Sequence, residues 1–199
     1  MAQRVCPVWI GYLLASPVRK LFQNPNKILS KYVQEGMKVL DIGCAMGFFS
    51  LPLAEIVGPN GRVICVDIQE KMIKSLEKRA QKAGLSKRIE TRQCSADSLG
   101  LDDLTEEIDF ALASAVVHEV SGPYSFLSKI HEILKPTGKF LVAEPKGHVS
   151  QRDFEMTVSM AEDVGFEVIE RPQIGRSRAV LLGKRRKKKK SERIKKYRK

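Results

Sequence analysis

The sequence predicts an α/β fold, in which a doubly wound sheet of seven strands is mostly parallel and ends in an antiparallel hairpin. Three observations predict it. Short apolar runs alternate with helix-like segments from residue 38 onward, turn signals separate them, and the last two strand-like runs have no helix between them. Because parallel neighbours need a long crossover, a directly joined pair is antiparallel.

The first half of the chain reads as strand, helix, strand, helix and strand. Apolar runs indicate buried strands at Lys38–Ile42 and Arg62–Val66, whereas Arg88–Gln93 alternates charge and is predicted to be more exposed. Apolar residues at helical spacing predict the two helices, which end at Gly58-Pro59-Asn60-Gly61 and at Gly84. These helices are Phe48–Val57 and Gln69–Ala83.

The second half continues the alternation and then closes it. The turn Lys135-Pro136-Thr137-Gly138 ends one helix, Gly165 ends the other, and Arg171–Ser177 joins the final two strands. The predicted strands are Ile108–Ala113, Lys139–Ala143, Phe166–Glu170 and Arg178–Leu182. The predicted helices are Tyr124–Leu134 and Gln151–Val164.

Charge divides the chain into a nearly neutral body and a basic tail. Of 35 Lys/Arg and 23 Asp/Glu, twelve bases and one acid lie in Lys184–Lys199, which leaves 23 bases and 22 acids elsewhere. We expect an N-terminal lid at 1–34, a folded domain at 35–183 and a disordered tail at 184–199. Such a tail can bind a polyanion, either RNA or an anionic membrane, and increased solubility is the alternative role. Because the charge lies in the tail, the net charge is no argument that the body binds nucleic acid.

Cysteine usage and hydropathy predict a cytoplasmic protein without a metal site. The four cysteines form no CxxC pair, and no His lies at zinc-site spacing from them, which fits a reducing compartment. The apolar segment Val5–Val18 is interrupted by Pro7 and Pro17, so we read it neither as a signal peptide nor as a membrane span.

The stretch KVLDIGCAMGFFSLPLAE, residues 38–55, predicts a ligand loop at the carboxyl end of the first strand. Gly43 and Gly47 permit positive φ and close approach to the backbone. No Gly-Lys-Ser/Thr follows and G-x-G-x-x-G is absent, which excludes the Walker loop and disfavours a dinucleotide. Asp41 repels a pyrophosphate and suits a ligand that carries a cationic amine.

Two further acids follow the next two strands. Asp67 ends the second strand, where a carboxylate can accept from both hydroxyls of a ribose. Asp97, in CSADSL after the third strand, can accept from an exocyclic amine such as that of adenine. An amino-acid end, a ribose and an adenine together describe S-adenosylmethionine.

Five segments in order carry a resemblance to a known family: VLDIGCAMGFFS, VICVD, SAD, IDFALASAVVHEV and ILKPTGKFLVAEP. Over roughly Glu35–Lys184 the chain resembles class I S-adenosylmethionine-dependent methyltransferases of the small-molecule type, grouped with those of ubiquinone and menaquinone biosynthesis. The resemblance implies a Rossmann-like fold and methyl transfer by in-line displacement to a small-molecule acceptor. The residues expected at S-adenosylmethionine are Asp41, Gly43, Cys44, Gly47, Asp67, Ile68, Ala96, Asp97 and Ser114.

The acceptor is expected at the carboxyl ends of the fourth and fifth strands. AVVHEV places His118 after the fourth strand and AEPKGHVS places His148 after the fifth, and we predict both to be catalytic because imidazole is the usual general base. A helix-capping or cofactor-contacting role for the His-Glu pair is the alternative. The residues expected to contact the acceptor are Trp9, Tyr12, Glu119 and Glu144.

Two other functions stay open at this point. An RNA methyltransferase would use the basic tail to hold tRNA or rRNA, although AVVH stands where many amine methylases have Asn/Asp-Pro-Pro-aromatic. A non-catalytic scaffold would keep Asp41, Gly43 and Asp67 for cofactor binding alone. The N-terminal segment is read as a lid, with a helix on the sheet edge or a membrane-surface foot as alternatives.

Overall fold

The computed structural model describes residues 23–185 and confirms the predicted mixed sheet. Its strands lie in the order β3-β2-β1-β4-β5-β7-β6. Neighbours are parallel except at β7, which runs antiparallel to both β5 and β6. The strands are β1 (Lys38–Ile42), β2 (Arg62–Asp67), β3 (Ile89–Gln93), β4 (Ile108–Ser114), β5 (Leu134–Pro145), β6 (Phe166–Glu170) and β7 (Ser177–Lys184).

Helices cover both faces of the sheet. The helices are α1 (Pro25–Leu29), α2 (Ser50–Ile56), α3 (Glu70–Lys82), α4 (Pro123–Ile133) and α5 (Gln151–Val164), with short 3-10 turns at Ser86–Arg88 and Val117–Glu119. One apolar core lies under α1, α2 and α3 and includes Leu29, Leu53 and Leu76. The other lies under α4 and α5 and includes Leu127 and Phe154. This two-sided burial explains why the central strands read as continuous apolar runs.

Local signals explain the bounds of α5, which the sequence predicts to the residue. Ser150 caps the helix by accepting a hydrogen bond from the Asp153 N–H at 3.1 Å. Gly165 ends it in the left-handed conformation, with φ of 118°. Both signals are local in the sequence, and the apolar face of the helix agrees with them.

The turn predicted at 135–138 forms an irregular insertion within the fifth strand, since Leu134 pairs with Ile108 and the next pair is Lys139 with Phe110. β5 begins at Leu134, directly after α4, and the segment 135–138 lies within the strand. The register against β4 shifts between Ile108 and Phe110, so the strand passes over an irregularity here. A Cβ at Gly138 would lie 2.8 Å from the Ile108 carbonyl oxygen and 3.0 Å from the Lys135 carbonyl oxygen, so this glycine permits close approach both to β4 and to the start of the insertion.

The folded body extends beyond the predicted limits of 35 and 183. Leu29 and Val33 are buried in the core, and the Tyr32 ring stacks on Phe110, so this part of the predicted lid belongs to the body. At the other end, Lys184 lies in β7 and the next residue, Arg185, donates its N–H to the Gly165 carbonyl at 2.8 Å.

The predictions for Trp9, Tyr12 and most of the basic tail lie outside the described residues. Within residues 23–185, no helix is long and apolar enough to cross a membrane.

Candidate functional site

A cavity of about 1200 Å³ opens at the carboxyl ends of β1, β2, β4 and β5. It is larger than the ~300–1,000 Å³ typical of a single ligand site, so it has room for two small molecules side by side. Gly47 and Glu144 lie outside its wall. The predicted residues that line it are Asp41, Gly43, Cys44, Asp67, Ile68, Ala96, Asp97, Ser114, His118, Glu119 and His148.

Asp41 is a buried carboxyl group at the floor of the cavity. Its side chain is 2% exposed and accepts a hydrogen bond from the Ser50 hydroxyl, at the start of α2, at 2.6 Å. Burial raises the pKa of Asp41 to about 7, the Ser50 hydrogen bond opposes the shift, and the nearby Asp67 adds to it. A cationic group entering the cavity would therefore restore the charge that burial disfavours.

The glycine loop after β1 serves two different contacts. Gly43 has φ of +65°, and a Cβ there would lie 2.3 Å from Val116 Cγ2. Gly47 has φ of +85°, but a Cβ there would lie 2.4 Å from Leu76 Cδ1 of α3. Gly43 thus permits close contact at the cavity wall, whereas Gly47 permits close helix packing and does not face the ligand space.

Asp67 ends β2 and holds the same loop. Its Oδ2 accepts from the Ala45 N–H at 2.9 Å and its Oδ1 from the Gln69 N–H at 2.8 Å. Burial raises the pKa of Asp67, and these backbone N–H groups oppose the shift. Each carboxylate oxygen has a second lone pair, so the group can still accept from two hydroxyls of a ligand.

Residues that follow β2 and β3 form the part of the cavity wall beside Asp67. Ile68 contributes an apolar side chain, and Ala96 and Asp97 lie exposed at the mouth. A tight turn shapes this mouth, because the Ser98 N–H donates to the Ser95 hydroxyl at 3.1 Å. The arrangement offers an apolar surface with an acceptor beside it.

At the far side of the cavity, His118 is held by Glu144. The His118 Nδ1 lies 2.5 Å from Glu144 Oε2, and Glu144 Oε1 accepts from the Val117 N–H at 2.8 Å. The hydrogen bond to Glu144 raises the pKa of His118 above its usual value. Glu144 is 2% exposed and lies behind the histidine, so the expectation that it contacts the acceptor is not met.

His118 meets two other predicted residues at the cavity wall. Its Nε2 lies 4.0 Å from Glu119 Oε1, and burial raises the pKa of Glu119. The His148 ring is perpendicular to the His118 ring, with centroids 6.1 Å apart. The loops after β4 and β5 therefore bring His118 and His148 together at the cavity wall, as the sequence predicts.

Sequence reasoning missed several wall residues. Ala45 and Ala115 have positive φ, 45° and 60°, and no sequence signal marks an alanine for that conformation. Phe48 and Phe49 also line the cavity, and their place directly after the glycine loop was a signal that could have found them. Among residues 23–185, no group of three or more His, Cys, Asp or Glu has a metal-binding arrangement.

Comparison with known proteins identifies the family. Residues 33–195 match a family model described as a methyltransferase domain, and the chain belongs to this family, in the class I, S-adenosylmethionine-dependent group that the sequence resembles.

Two curated relatives are methyltransferases of quinone biosynthesis. The chain is 30% identical over 112 residues to the ubiquinone/menaquinone biosynthesis C-methyltransferase UbiE of Pasteurella multocida, covering 56% of this chain and 41% of that protein. It is 34% identical over 120 residues to the mitochondrial ubiquinone biosynthesis O-methyltransferase of Bos taurus, covering 60% of this chain and 30% of that protein. The chain thus spans less than half the length of these relatives.

A solved structure matches nearly end to end. The SAM-dependent methyltransferase from Aquifex aeolicus superposes with a TM-score of 0.79 at 25% identity, covering 89% of this chain and 98% of that chain. The predicted fold class is confirmed by this match as well as by the strand order.

Proposed function

We propose that this protein transfers a methyl group from S-adenosylmethionine to a small-molecule acceptor bound in the same cavity. The observation that carries the proposal is the placement of three acids along one cavity, with Asp41 near the end of β1, Asp67 at the end of β2 and Asp97 just after β3. They match the amine, the ribose and the adenine of one ligand in that order. Membership of the methyltransferase family supports the same conclusion.

Each part of the donor has a partner of suitable chemistry. Asp41 binds the ammonium group, and burial of the carboxylate strengthens the Coulombic attraction between the two charges. Asp67 accepts from the ribose hydroxyls through its remaining lone pairs. Ile68 packs on the adenine, whose amine donates to Asp97, with Ala96 beside it. When bound, S-adenosylmethionine supplies a methyl group already activated on a sulfonium.

The acceptor shares the remaining space beside His118 and His148. Both curated relatives carry names from quinone biosynthesis, one as a C-methyltransferase and one as an O-methyltransferase, which supports a small-molecule acceptor and leaves the reacting atom open. The protein's own work is to hold the two molecules in line and to exclude water. The RNA alternative rests on the basic tail, and no feature of residues 23–185 favours it.

Titration calorimetry with S-adenosylhomocysteine, the product of the donor, tests the proposal. The wild type should bind one molecule, and Asp67→Asn should bind at least about tenfold more weakly, which corresponds to ~1.4 kcal/mol. Asp163→Asn, at an exposed position of α5, is the matched control and should bind normally. Thermal unfolding of each variant shows that the protein is folded.

Labelled S-adenosylmethionine then separates the candidate functions. Label in phenols, thiols or amines supports the small-molecule enzyme, label in tRNA supports the RNA alternative, and donor binding without any label supports the scaffold. Absence of donor binding in folded wild-type protein contradicts the proposal.

A further inference from the structure

We infer that His118 is the catalytic base of the transfer, that Glu144 is its positioning residue, and that the acceptor reacts through a phenolic hydroxyl. This inference rests on the proposed function and names the substrate class of the same site. It is carried by the hydrogen bonds around Glu144 and by the orientation they impose on the imidazole.

Glu144 is an unusually well-held carboxylate. It sits near the end of β5, is 2% exposed, and lies outside the cavity wall. One oxygen accepts from the N–H groups of Val116 and Val117, at 3.3 and 2.8 Å, and the other meets His118 Nδ1 at 2.5 Å. Both donors of the backbone belong to the turn that carries the histidine, so Glu144 fixes the turn and the ring together.

This arrangement decides which imidazole nitrogen faces the acceptor. An ionised carboxylate only accepts hydrogen bonds, so Nδ1 of His118 carries a proton toward Glu144. In the neutral ring the lone pair is then on Nε2. His118 lines the cavity, and its Nε2 lies 4.0 Å from Glu119 Oε1, beyond hydrogen-bond distance. The ring is therefore set to take a proton from a ligand.

The chemical step balances with these groups alone. Nε2 of His118 accepts the hydroxyl proton as an oxygen lone pair forms the new O–C bond. The C–S bond of the donor breaks, and its electron pair stays on sulfur, which changes from a sulfonium to a neutral thioether. The imidazolium that results is stabilised by Glu144 and then loses its proton to solvent through the open cavity.

A phenol is the acceptor that matches this base. A phenolic hydroxyl has a pKa of about 10, within reach of an imidazole, whereas a thiol near 8.5 is already partly ionised at neutral pH. An aliphatic alcohol is a much weaker acid, and a neutral amine attacks through a free lone pair without prior loss of a proton. A histidine oriented as a general base therefore accelerates methyl transfer most when the acceptor is a phenol.

The charged surroundings of His118 set the direction of its pH dependence. The ring must be neutral to act, and its pKa is raised from 6.5, chiefly by Glu144. Turnover should thus rise with pH through a midpoint above 6.5. The titratable groups that act on the ring are Glu144 from β5 and Glu119 from its own turn, and the His148 ring packs edge-on against it.

Glu144→Gln tests the assignment with a spectroscopic readout. The amide oxygen can still accept from Val117, but the amide NH₂ then faces Nδ1 and reverses the tautomer, so Nε2 becomes a donor. We expect nitrogen NMR of His118 to show the reversal, turnover to fall by about 10²–10⁴-fold, and the affinity for S-adenosylhomocysteine to stay unchanged. Glu162→Gln, at an exposed position of α5, is the matched control.

Further measurements distinguish a positioning role of Glu144 from a purely structural one. Glu144→Asp should recover part of the activity. The double variant His118→Gln/Glu144→Gln should be no slower than either single variant, because both remove one base. With labelled donor, phenol and 4-cyanophenol should lose much more turnover in Glu144→Gln than 4-nitrophenol, which is the most acidic of the three and is mostly ionised in an assay at about pH 8, where its phenolate needs no base.

The inference is overturned if Glu144→Gln keeps wild-type turnover, loses donor affinity in proportion to turnover, or combines multiplicatively with His118→Gln. It is also overturned if donor-bound wild type methylates thiols or amines and no phenol, or methylates none of the three phenols. A folded wild type that fails to bind S-adenosylhomocysteine instead contradicts the proposed function itself.

Discussion

At the scale of single residues, Asp41 links donor binding to pH. Its pKa is raised to about 7 in the ligand-free protein, so below that value the folded protein holds a proton that an ammonium ligand must expel. The affinity for S-adenosylhomocysteine should rise by up to about tenfold per pH unit from about pH 5.5 to about pH 7 and then level off. Calorimetry in buffers of different ionisation enthalpy measures the released proton.

The control for this prediction is Asp41→Asn, which should bind weakly with a shallower pH dependence. Because the pKa of Asp41 is higher in the folded than in the unfolded protein, the folded state binds more protons between about pH 4 and about pH 7. The free energy of unfolding of the ligand-free wild type should therefore fall as pH rises through this range. An affinity that is flat between pH 5.5 and 7 would show that Asp41 does not meet the cation.

Gly43 provides a steric prediction at the same scale. Gly43→Ala adds a Cβ 2.3 Å from Val116 Cγ2 at a positive φ, and overpacking and backbone strain together should cost about 2–4 kcal/mol. Gly36→Ala is the matched control, since Gly36 also has positive φ but nothing within 4 Å, and it should cost about 1 kcal/mol. Urea unfolding compares them; equal costs would mean that Val116 moves freely.

The sequence predicts the role of a residue when that role depends only on its position at the carboxyl end of a strand. Asp41, Asp67 and His118 reach the cavity because parallel strands end at one edge. It cannot predict the role of Glu144, because that role depends on the turn of a neighbouring strand 26 residues away. It also cannot separate Gly43 from Gly47, because the contact of Gly47 with Leu76 exists only after α3 has packed.

At the scale of elements, β7 clamps the loop that carries His148. The Arg178 guanidinium donates to the carbonyls of Lys146 and Val149, at 3.3 and 2.8 Å, and to Gln151 Oε1 at 2.9 Å. Arg178→Ala should cost about 1–3 kcal/mol of stability and lower turnover severalfold without changing donor affinity. Steady-state kinetics and calorimetry on one preparation measure both.

Arg171→Ala is the control for this clamp. Arg171 forms an exposed ion pair with Glu155 at 2.8 Å, and such pairs contribute only about 0–1 kcal/mol. Turnover of this variant should match the wild type. If both variants lose the same activity, or if Arg178→Ala loses none, the loop does not depend on β7.

Elements were predictable where local and tertiary signals agree. Helix α5 has a Ser cap, an apolar face and a terminal glycine, and its bounds are predicted to the residue. The segment 135–138 has turn residues, and it forms an unpaired insertion inside β5, because Leu134 pairs with Ile108 of β4 and the pairing resumes at Lys139 with Phe110. The turn signal was therefore correct locally, but the sequence did not show that Leu134, before it, already pairs with β4.

At the scale of the whole molecule, the body is predicted to carry the reaction without the basic tail. Removing residues 186–199 keeps Arg185, whose guanidinium donates to the carbonyls of Glu162 and Phe166. The truncated protein should bind donor and methylate small molecules as the full chain does, and should lose salt-sensitive retention of RNA. Activity assays and filter binding at two salt concentrations measure the two effects.

The full chain with its tail lysines and arginines changed to glutamine is the control, and it should behave like the truncation. Loss of small-molecule turnover in both proteins would assign the tail a part in acceptor binding. Methyl incorporation into RNA that disappears with the tail would instead favour the RNA alternative.

The most direct test of the central claim is the crystal structure of the protein with S-adenosylhomocysteine. The account predicts electron density in the large cavity, with the amine toward Asp41, both ribose hydroxyls on Asp67 and the adenine beside Ile68 with its amine at Asp97. The sulfur should point toward the side that holds His118. Density in another place, or a ligand in the reverse orientation along the same wall, would contradict the account.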